Sequence, residues 1–151
     1  MQTRRSPLLV GVALTLAAPA VLPAQKTSVD STVGGKIQAA TKAATRWLTL
    51  VDSTRYAASW DSSAAMLRSQ VTKSAWQEAA VGARSGVDPL GAREQLSAQY
   101  TRQLPNAPPG EYVVLQFRSA GRNQTRWTET VSLTLERDGA WRVAGYYIRP
   151  T

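Results

Sequence analysis

The feature that most constrains the fold of this chain is a change in hydrophobic periodicity at Asp88-Pro89. Before this dipeptide, apolar residues recur at spacings of three and four, which indicates amphipathic helices. After it, apolar and polar residues alternate, which indicates strands. Because the helices precede the strands, the order excludes a doubly wound fold. It predicts an α+β domain with N-terminal helices packed on a C-terminal antiparallel sheet of about four strands.

Three helical segments are predicted from apolar stripes. The first stripe comprises Ile37, Ala40, Ala44, Trp47, Leu48 and Val51. The second comprises Tyr56, Trp60, Ala64, Leu67 and Val71. The third comprises Trp76, Ala79, Ala80 and Ala83. Asp52 and Ser53 end the first helix and can cap the second. Asp61-Ser62-Ser63 either breaks the second helix or lies on its solvent-exposed face. Ser74 and Gln77 fit a capping box for the third helix, which ends near Gly86.

The strands follow from period-two patterns. Residues 93–100 alternate with one weakly apolar face, which favours an edge strand. Residues 112–117 predict a strand covered on both faces, and residues 130–135 a half-buried one. Asp138-Gly139 is a strong hairpin signal that leads into a last strand over residues 141–148.

The N-terminus has the pattern of a secretory signal peptide. Arg4 and Arg5 precede an apolar, uncharged stretch over residues 8–22. Small residues then allow cleavage after Ala20 or Ala24. The stretch is short for a membrane span, so an uncleaved anchor is the less favoured alternative. We expect a signal peptide over 1–24, a flexible leader over 25–36 and a single domain over 37–150, released to the periplasm or the exterior without a stable membrane anchor.

The composition excludes several chemistries. The sequence has no His and no Cys, which removes the commonest general base, thiol nucleophiles and the usual zinc ligands. The segment Val33-Gly34-Gly35-Lys36 lacks the spacing of a phosphate-binding loop. We therefore expect no cofactor and no metal site, and name no catalytic residue. No nucleic-acid-binding motif is present.

Several segments, in order, resemble the DUF4019 family of exported bacterial domains of unknown function. They are Trp47-Leu48, Val51-Asp52, Tyr56-Ala57-Ala58-Ser59-Trp60, Trp76, Arg84, Leu104-Pro105, residues 110–114, residues 129–131 and residues 138–148. The resemblance covers residues 39–149. It implies one compact domain in the cell envelope and transfers no catalytic residue. The element order is also similar to NTF2-like or cystatin-like folds, which do not by themselves give a function.

Four carboxylates are candidates for acid–base work: Asp52, Asp61, Glu111 and Glu129. A helix cap is the simpler role for Asp52, and a strand-entry position is the simpler role for Glu111. Glu129 shares a strand face with Trp127, Val131 and Leu133, so we expect it to point inward. A buried carboxylate needs a partner. A structural pair of Glu129 with Arg84, Arg93 or Arg142 is favoured over a catalytic acid.

The residues that would line a ligand pocket, if one exists, form a mixed aromatic and charged set. They are Trp60, Trp76, Arg84, Arg93, Glu129 and Arg142. Core packing is the default role for tryptophans on helical stripes. Arg118, Arg122 and Arg126 surround a predicted turn beside Trp127, and a solvated turn is the simpler interpretation.

Three functions remain open. The first is a non-enzymatic envelope module that binds a protein or a small ligand. The second is a hydrolase or isomerase in an NTF2-like hollow, using an inward acid such as Glu129. The third is a basic adaptor for anionic envelope polymers, since the formal charge of +8 falls only by Arg4 and Arg5 on cleavage.

Overall fold

The structure is a computed structural model that describes residues 32–151. The predicted signal peptide and most of the predicted leader lie outside the described residues. Within this range four α-helices precede four strands, which confirms the predicted α+β class. The elements are α1 (Val33–Asp52), α2 (Tyr56–Asp61), α3 (Ala65–Gln70), α4 (Lys73–Arg84), β1 (Glu94–Thr101), β2 (Tyr112–Ala120), β3 (Arg126–Leu135) and β4 (Trp141–Pro150).

Helix α1 begins before the predicted domain start at residue 37. The Thr32 side chain accepts a hydrogen bond from the Gly35 N–H at 3.1 Å and caps the first turn. The predicted apolar stripe is buried, with Ala40, Ala44, Trp47, Leu48 and Val51 all at 3 % exposure or less. None of the helices between residues 32 and 151 is long and apolar enough to cross a membrane.

The second predicted stripe is divided between two short helices, α2 and α3. The break falls at Ser62–Ala64, where the Ala64 N–H donates to the Val143 carbonyl of β4 at 2.8 Å. The predicted cap of α2 is wrong, because its N-cap is Arg55 and no side chain caps it. The predicted capping box of α4 is also wrong. Thr72, rather than Ser74, accepts from the Ala75 N–H at 3.3 Å.

The four strands form one antiparallel sheet in the order β1-β2-β3-β4, with β1 at an edge as predicted. The helices pack on one face, called the inner face below. Its central side chains are buried at 5 % exposure or less. They are Val113, Leu115, Phe117, Val131, Leu133 and Val143. Trp47 and Leu48 of α1 fill the space above this row, which makes one apolar core.

Two bulges change which side chains reach the inner face. In β4 the register shifts between the Gly145 and Val143 pairs, so Ala144 is extra. In β1 it shifts between Gln95 and Ser97, so Leu96 is extra. Because a bulge reverses the alternation beyond it, the predicted faces of β1 are wrong: Gln95, not Glu94, lies on the face of Ala98.

Candidate functional site

Glu129 lies in the middle of the inner face and is fully buried, at 0 % exposure. Strand β3 places it beside Val131, opposite Phe117 of β2 and Ile148 of β4. The prediction that it points inward is confirmed. A carboxylate among these apolar neighbours needs donors that replace its lost water.

Two arginines and a tyrosine supply those donors. Oε1 of Glu129 accepts from Arg84 Nη1 at 3.2 Å, from Arg93 Nη2 at 3.0 Å and from the Tyr146 hydroxyl at 2.7 Å. Oε2 accepts from Arg93 Nε at 2.6 Å. Both oxygens are therefore satisfied within the protein, and the predicted structural Glu–Arg pair is confirmed for Arg84 and Arg93.

The arginines also bind two other carboxylates. Arg84, at 1 % exposure, donates from Nη2 to Asp52 at 2.7 Å and from Nε to Asp88 at 2.8 Å. Arg93 donates two hydrogen bonds to the Asp52 carboxylate, from Nη1 at 2.7 Å and from Nη2 at 2.8 Å. We call Asp52, Arg84, Asp88, Arg93 and Glu129 the charge cluster. It joins the ends of α1 and α4 to the start of β1 and to β3.

The electrostatics of the charge cluster favour the ionised forms of Arg84, Arg93 and Asp52. Burial alone would lower the pKa of Arg84 and of Arg93, but hydrogen bonds to carboxylates outweigh it, and the pKa of each guanidinium lies above its ordinary value. Burial likewise pushes the pKa of Asp52 up, but Arg93 and Arg84 bring it below its ordinary value. Burial, and then the charge of Glu129, raise the pKa of the Tyr146 hydroxyl.

An aromatic cluster supports the charge cluster from one side. The Tyr146 ring lies 5.4 Å from that of Trp47 and 6.5 Å from that of Trp76. The indole N–H of Trp47 donates to Ser59 O at 2.8 Å and to Ser63 Oγ at 2.9 Å. That of Trp76 donates to Ser59 Oγ at 3.0 Å. These indole donors are thus bound inside the fold, which is typical of structural tryptophans.

The structure separates the six residues predicted as pocket candidates. Arg84, Arg93 and Glu129 meet in the charge cluster, and Trp76 reaches it through the Tyr146 ring. Trp60 lies elsewhere: its N–H donates to Val71 O at 2.9 Å, and Lys73 Nζ lies 5.2 Å from its ring.

Arg142 does not pair with Glu129. It binds Asp138 at 2.7 Å and Glu136 at 3.2 Å, at the hairpin before β4. A hydrogen bond from Arg142, followed by one from the backbone of Ala140, lowers the pKa of Asp138 to about 2.

The remaining two acid candidates also have cationic partners. Asp61 lies 2.6 Å from Lys73 Nζ. Glu111 precedes β2, as predicted for a strand-entry residue, and binds Lys36 and the Tyr100 hydroxyl. The hydrogen bond from Lys36 holds the pKa of Glu111 below its ordinary value.

The chain matches DUF4019, a family described as a protein of unknown function, over residues 43–146. This range contains the whole charge cluster and Tyr146. The chain belongs to the DUF4019 family. No curated protein and no solved structure matches it. The resemblance drawn from the sequence is confirmed, and membership brings no activity with it.

Sequence reasoning missed two members of this site in the DUF4019 domain. Asp88 was interpreted only as a turn residue before Pro89, although it lies four residues after Arg84, a spacing at which ion pairs form. Tyr146 gave no such signal. Its position on the inner face depends on the extra residue Ala144, since strict alternation from Val143 would have placed Tyr147 there.

The arrangement limits the chemistry that Glu129 can perform. A general acid or base must exchange a proton with a bound substrate. Both Glu129 oxygens already accept hydrogen bonds from cationic or phenolic donors. Within residues 32–151 no group of three or more Asp, Glu, His or Cys side chains is placed to hold a metal ion.

Two clefts on the surface flank helix α1. The first, about 430 Å³ in volume, lies between α1 and the approach to β1, and we call it the α1–β1 groove. It is lined by Thr41, Thr45, Leu48, Thr49, Gly91, Ala92, Arg93, Gln95 and Phe117. The second, about 320 Å³, lies on the other side of α1, where Arg46 and Leu50 face Trp141 and Arg142. Either cleft offers a surface on which a ligand or a partner can bind.

Proposed function

We propose that this DUF4019 domain is an exported, non-enzymatic binding module of the cell envelope. The envelope location rests on the N-terminal sequence pattern of Arg4, Arg5 and the apolar stretch over residues 8–22. The non-enzymatic character rests on one observation above all. The best-placed acid, Glu129, is fully buried and bound by Arg84, Arg93 and Tyr146.

The packing of the core adds support. An NTF2-like enzyme needs a hollow between helices and sheet for its substrate. Here that position is taken by Trp47 and Leu48 over Leu115 and Val131, which are all at 3 % exposure or less. The surface clefts beside α1 are the better places for a ligand or a partner.

The basic adaptor is a second candidate, and the outer face of the sheet favours it. Arg126 and Arg149 are both exposed at one end of this face, where β3 pairs with β2 and β4. In the described part of the chain neither has a carboxylate within ion-pair distance. Binding to an anionic polymer through such cations should weaken steeply with salt. Pull-down on purified teichoic or lipopolysaccharide polymers at rising salt tests it.

Photo-crosslinking in living cells tests the binding module directly. We would place a photoreactive amino acid at Thr45 in the α1–β1 groove, at Arg46 beside the second cleft, and at Gln77 on α4. All three positions are exposed. We expect a discrete adduct in the envelope fraction from at least one cleft position.

Mass spectrometry of the mature N-terminus, in the same preparation, tests the export signal. It should find cleavage after residue 20 or 24, and an intact Met1 contradicts export by cleavage.

A substrate screen tests whether the domain is an enzyme after all. Hydrolase and isomerase substrates are offered to the purified mature protein and to a Glu129→Gln variant that retains its circular dichroism spectrum. We expect the same background rate from both. Turnover by the wild-type protein that disappears in Glu129→Gln would overturn the non-enzymatic proposal.

A further inference from the structure

The free edge of β1 points to a specific kind of partner. Strand β1 pairs with β2 on one side only. Within residues 32–151, no other backbone–backbone hydrogen bond reaches β1. As far as the described residues go, its other edge therefore presents a row of unpaired N–H and C=O groups, which are the groups that an extended peptide backbone recognises.

The opposite edge of the sheet, at β4, is partly covered by other parts of the chain. At β4 the Val143 carbonyl accepts the Ala64 N–H at 2.8 Å, and the segment around α3 lies against that strand. The edge of β1 also lacks two common protections, since its sequence EQLSAQYT contains neither Lys nor Pro. Its bulge at Leu96 leaves a regular run from Ser97 to Thr101, and Leu96 itself is 42 % exposed.

The α1–β1 groove lies at the start of β1, where Arg93 and Gln95 line it, so an added strand that continues past the bulge would place its end side chains there. Alternate side chains of a strand point to one face of the sheet. On the inner face, a strand added beside β1 would direct them toward the helix wall formed by Thr41, Thr45 and Thr49. Leu48 and Phe117 form an apolar floor in the groove. We propose that the α1–β1 groove and the edge of β1 bind an extended segment of a partner protein by strand addition.

Charge complementarity defines that segment and argues against a second copy of this chain. The acids around the groove are neutralised: Asp52 by Arg84 and Arg93, Glu94 by Arg118, and Glu111 by Lys36. Two cations, Lys42 on α1 and Arg102 directly after the last residue of β1, form no ion pair within the described residues. The surroundings are therefore positive. An acidic segment fits them, whereas a second copy would bring the same excess of positive charge.

The proposal rests on the proposed binding function and specifies its surface. It is tested with the mature protein and synthetic peptides. A display library of random 12-residue peptides is selected on the immobilised protein, and binding of the best peptide is measured by fluorescence anisotropy. Two N-methylated series of that peptide then remove alternate amide donors. Because an added strand uses the donors of every second residue, one series should weaken binding about tenfold or more, and the other should be nearly neutral.

A pair of protein variants locates the site. Thr45→Trp fills the groove and should weaken peptide binding about tenfold or more. Gln77→Trp places the same side chain on an exposed helical position of α4 and should leave affinity unchanged. Hydrogen exchange on the unaltered protein gives an independent readout: alternate β1 amides should exchange rapidly without peptide and slowly with it.

Several results would overturn the proposal. They are the absence of any selected peptide, equal effects of the two methylation series, no effect of Thr45→Trp, or β1 amides protected before peptide is added. The last result, with a doubled mass in ultracentrifugation, would assign the edge to a second copy. In-cell crosslinks from position 46 without crosslinks from position 45 would contradict binding at the α1–β1 groove but would still support the proposed binding function. Turnover lost in Glu129→Gln would remove the binding function instead.

Discussion

At the scale of single residues, Glu129 is held by the balance between desolvation and hydrogen bonding. Taking an ionised carboxylate out of water costs several kcal/mol, and only close donors and opposite charges offset this. Two arginines and a phenol do so here, through four hydrogen bonds. Removing one partner leaves this desolvation cost uncompensated. Substitutions at Glu129 should therefore destabilise the fold more than substitutions in an exposed ion pair.

Glu129→Gln therefore should destabilise the fold strongly. The amide keeps the shape of the side chain but leaves the buried Arg84 with less compensating charge. We expect the free energy of unfolding to fall by about 3–5 kcal/mol. The matched control is Glu94→Gln, which breaks an exposed pair with Arg118 and should cost about 1 kcal/mol or less. Urea unfolding followed by tryptophan fluorescence measures both, and equal losses would contradict the assignment.

Tyr146→Phe tests the phenolic contact alone. The ring can stay against Trp47 and Trp76, but its hydroxyl no longer donates to Glu129 or accepts from Arg84. We expect a loss of about 1–3 kcal/mol, as for other buried hydrogen bonds to charged groups. Tyr147→Phe is the natural control, because this neighbour is 64 % exposed on the outer face. A variant at residue 147 that is as unstable as Tyr146→Phe would mean that the register of β4 is wrong.

The residue scale also marks how far the sequence could predict the site. Period-two alternation was enough to place Glu129 inward, and the need of a buried carboxylate for a partner put Arg84 and Arg93, together with Arg142, among the candidates. Choosing these over Arg142 required the fold, since Arg142 is closer along the chain yet binds Glu136 and Asp138. Sequence distance carries little information about which charges meet across a core.

At the scale of elements, the start of α4 separates a sequence motif from its use. Ser74 and Gln77 match a capping box, but the helix begins two residues earlier than that box predicts. Thr72 takes extended backbone angles, and its side chain accepts a hydrogen bond from the Ala75 N–H. Thr72→Ala should therefore lower the free energy of unfolding by about 1 kcal/mol, and Ser74→Ala by a few tenths at most. Thermal unfolding of the two variants checks the order, which would be reversed if the capping box formed.

The buried face of an element was predictable where the hydrophobic periodicity is long and unbroken, as in α1. It was less predictable in strands that contain a bulge, where one extra residue interrupts the alternation. The bulges at Leu96 and Ala144 reverse the inner and outer faces within β1 and β4. Alternation alone gives no sign of such an insertion. That is why Tyr146, which is central to the site, could not be distinguished from Tyr147 in the sequence.

At the scale of the whole molecule, the charge cluster connects helices and sheet that are distant in sequence. Asp52 ends α1, Arg84 ends α4, Arg93 precedes β1, and Glu129 lies in β3. The apolar core beneath α1 supplies the area of burial, while the cluster fixes how the helix ends meet the sheet. Such a contact between four segments emerges only from the packed fold, and its stability must depend on the ionisation of its acids.

Acid unfolding tests this dependence through Asp52. Arg93 and Arg84 hold the folded-state pKa of Asp52 below its ordinary value of 3.8. Above 3.8 the carboxylate contributes its full stability; as pH falls below that value the unfolded chain binds the proton first, and the contribution is lost through the folded pKa. The Asp52 side chain is 36 % exposed, so solvent screens its ion pairs, and Asp52→Asn should cost about 1 kcal/mol at pH 7. The gap from wild type should narrow as the pH falls below 3.8. Urea midpoints across this range measure it, with Asp61→Asn as the control at a more exposed ion pair, where the carboxylate is 55 % exposed. A gap that stays constant with pH would show that Asp52 contributes packing alone.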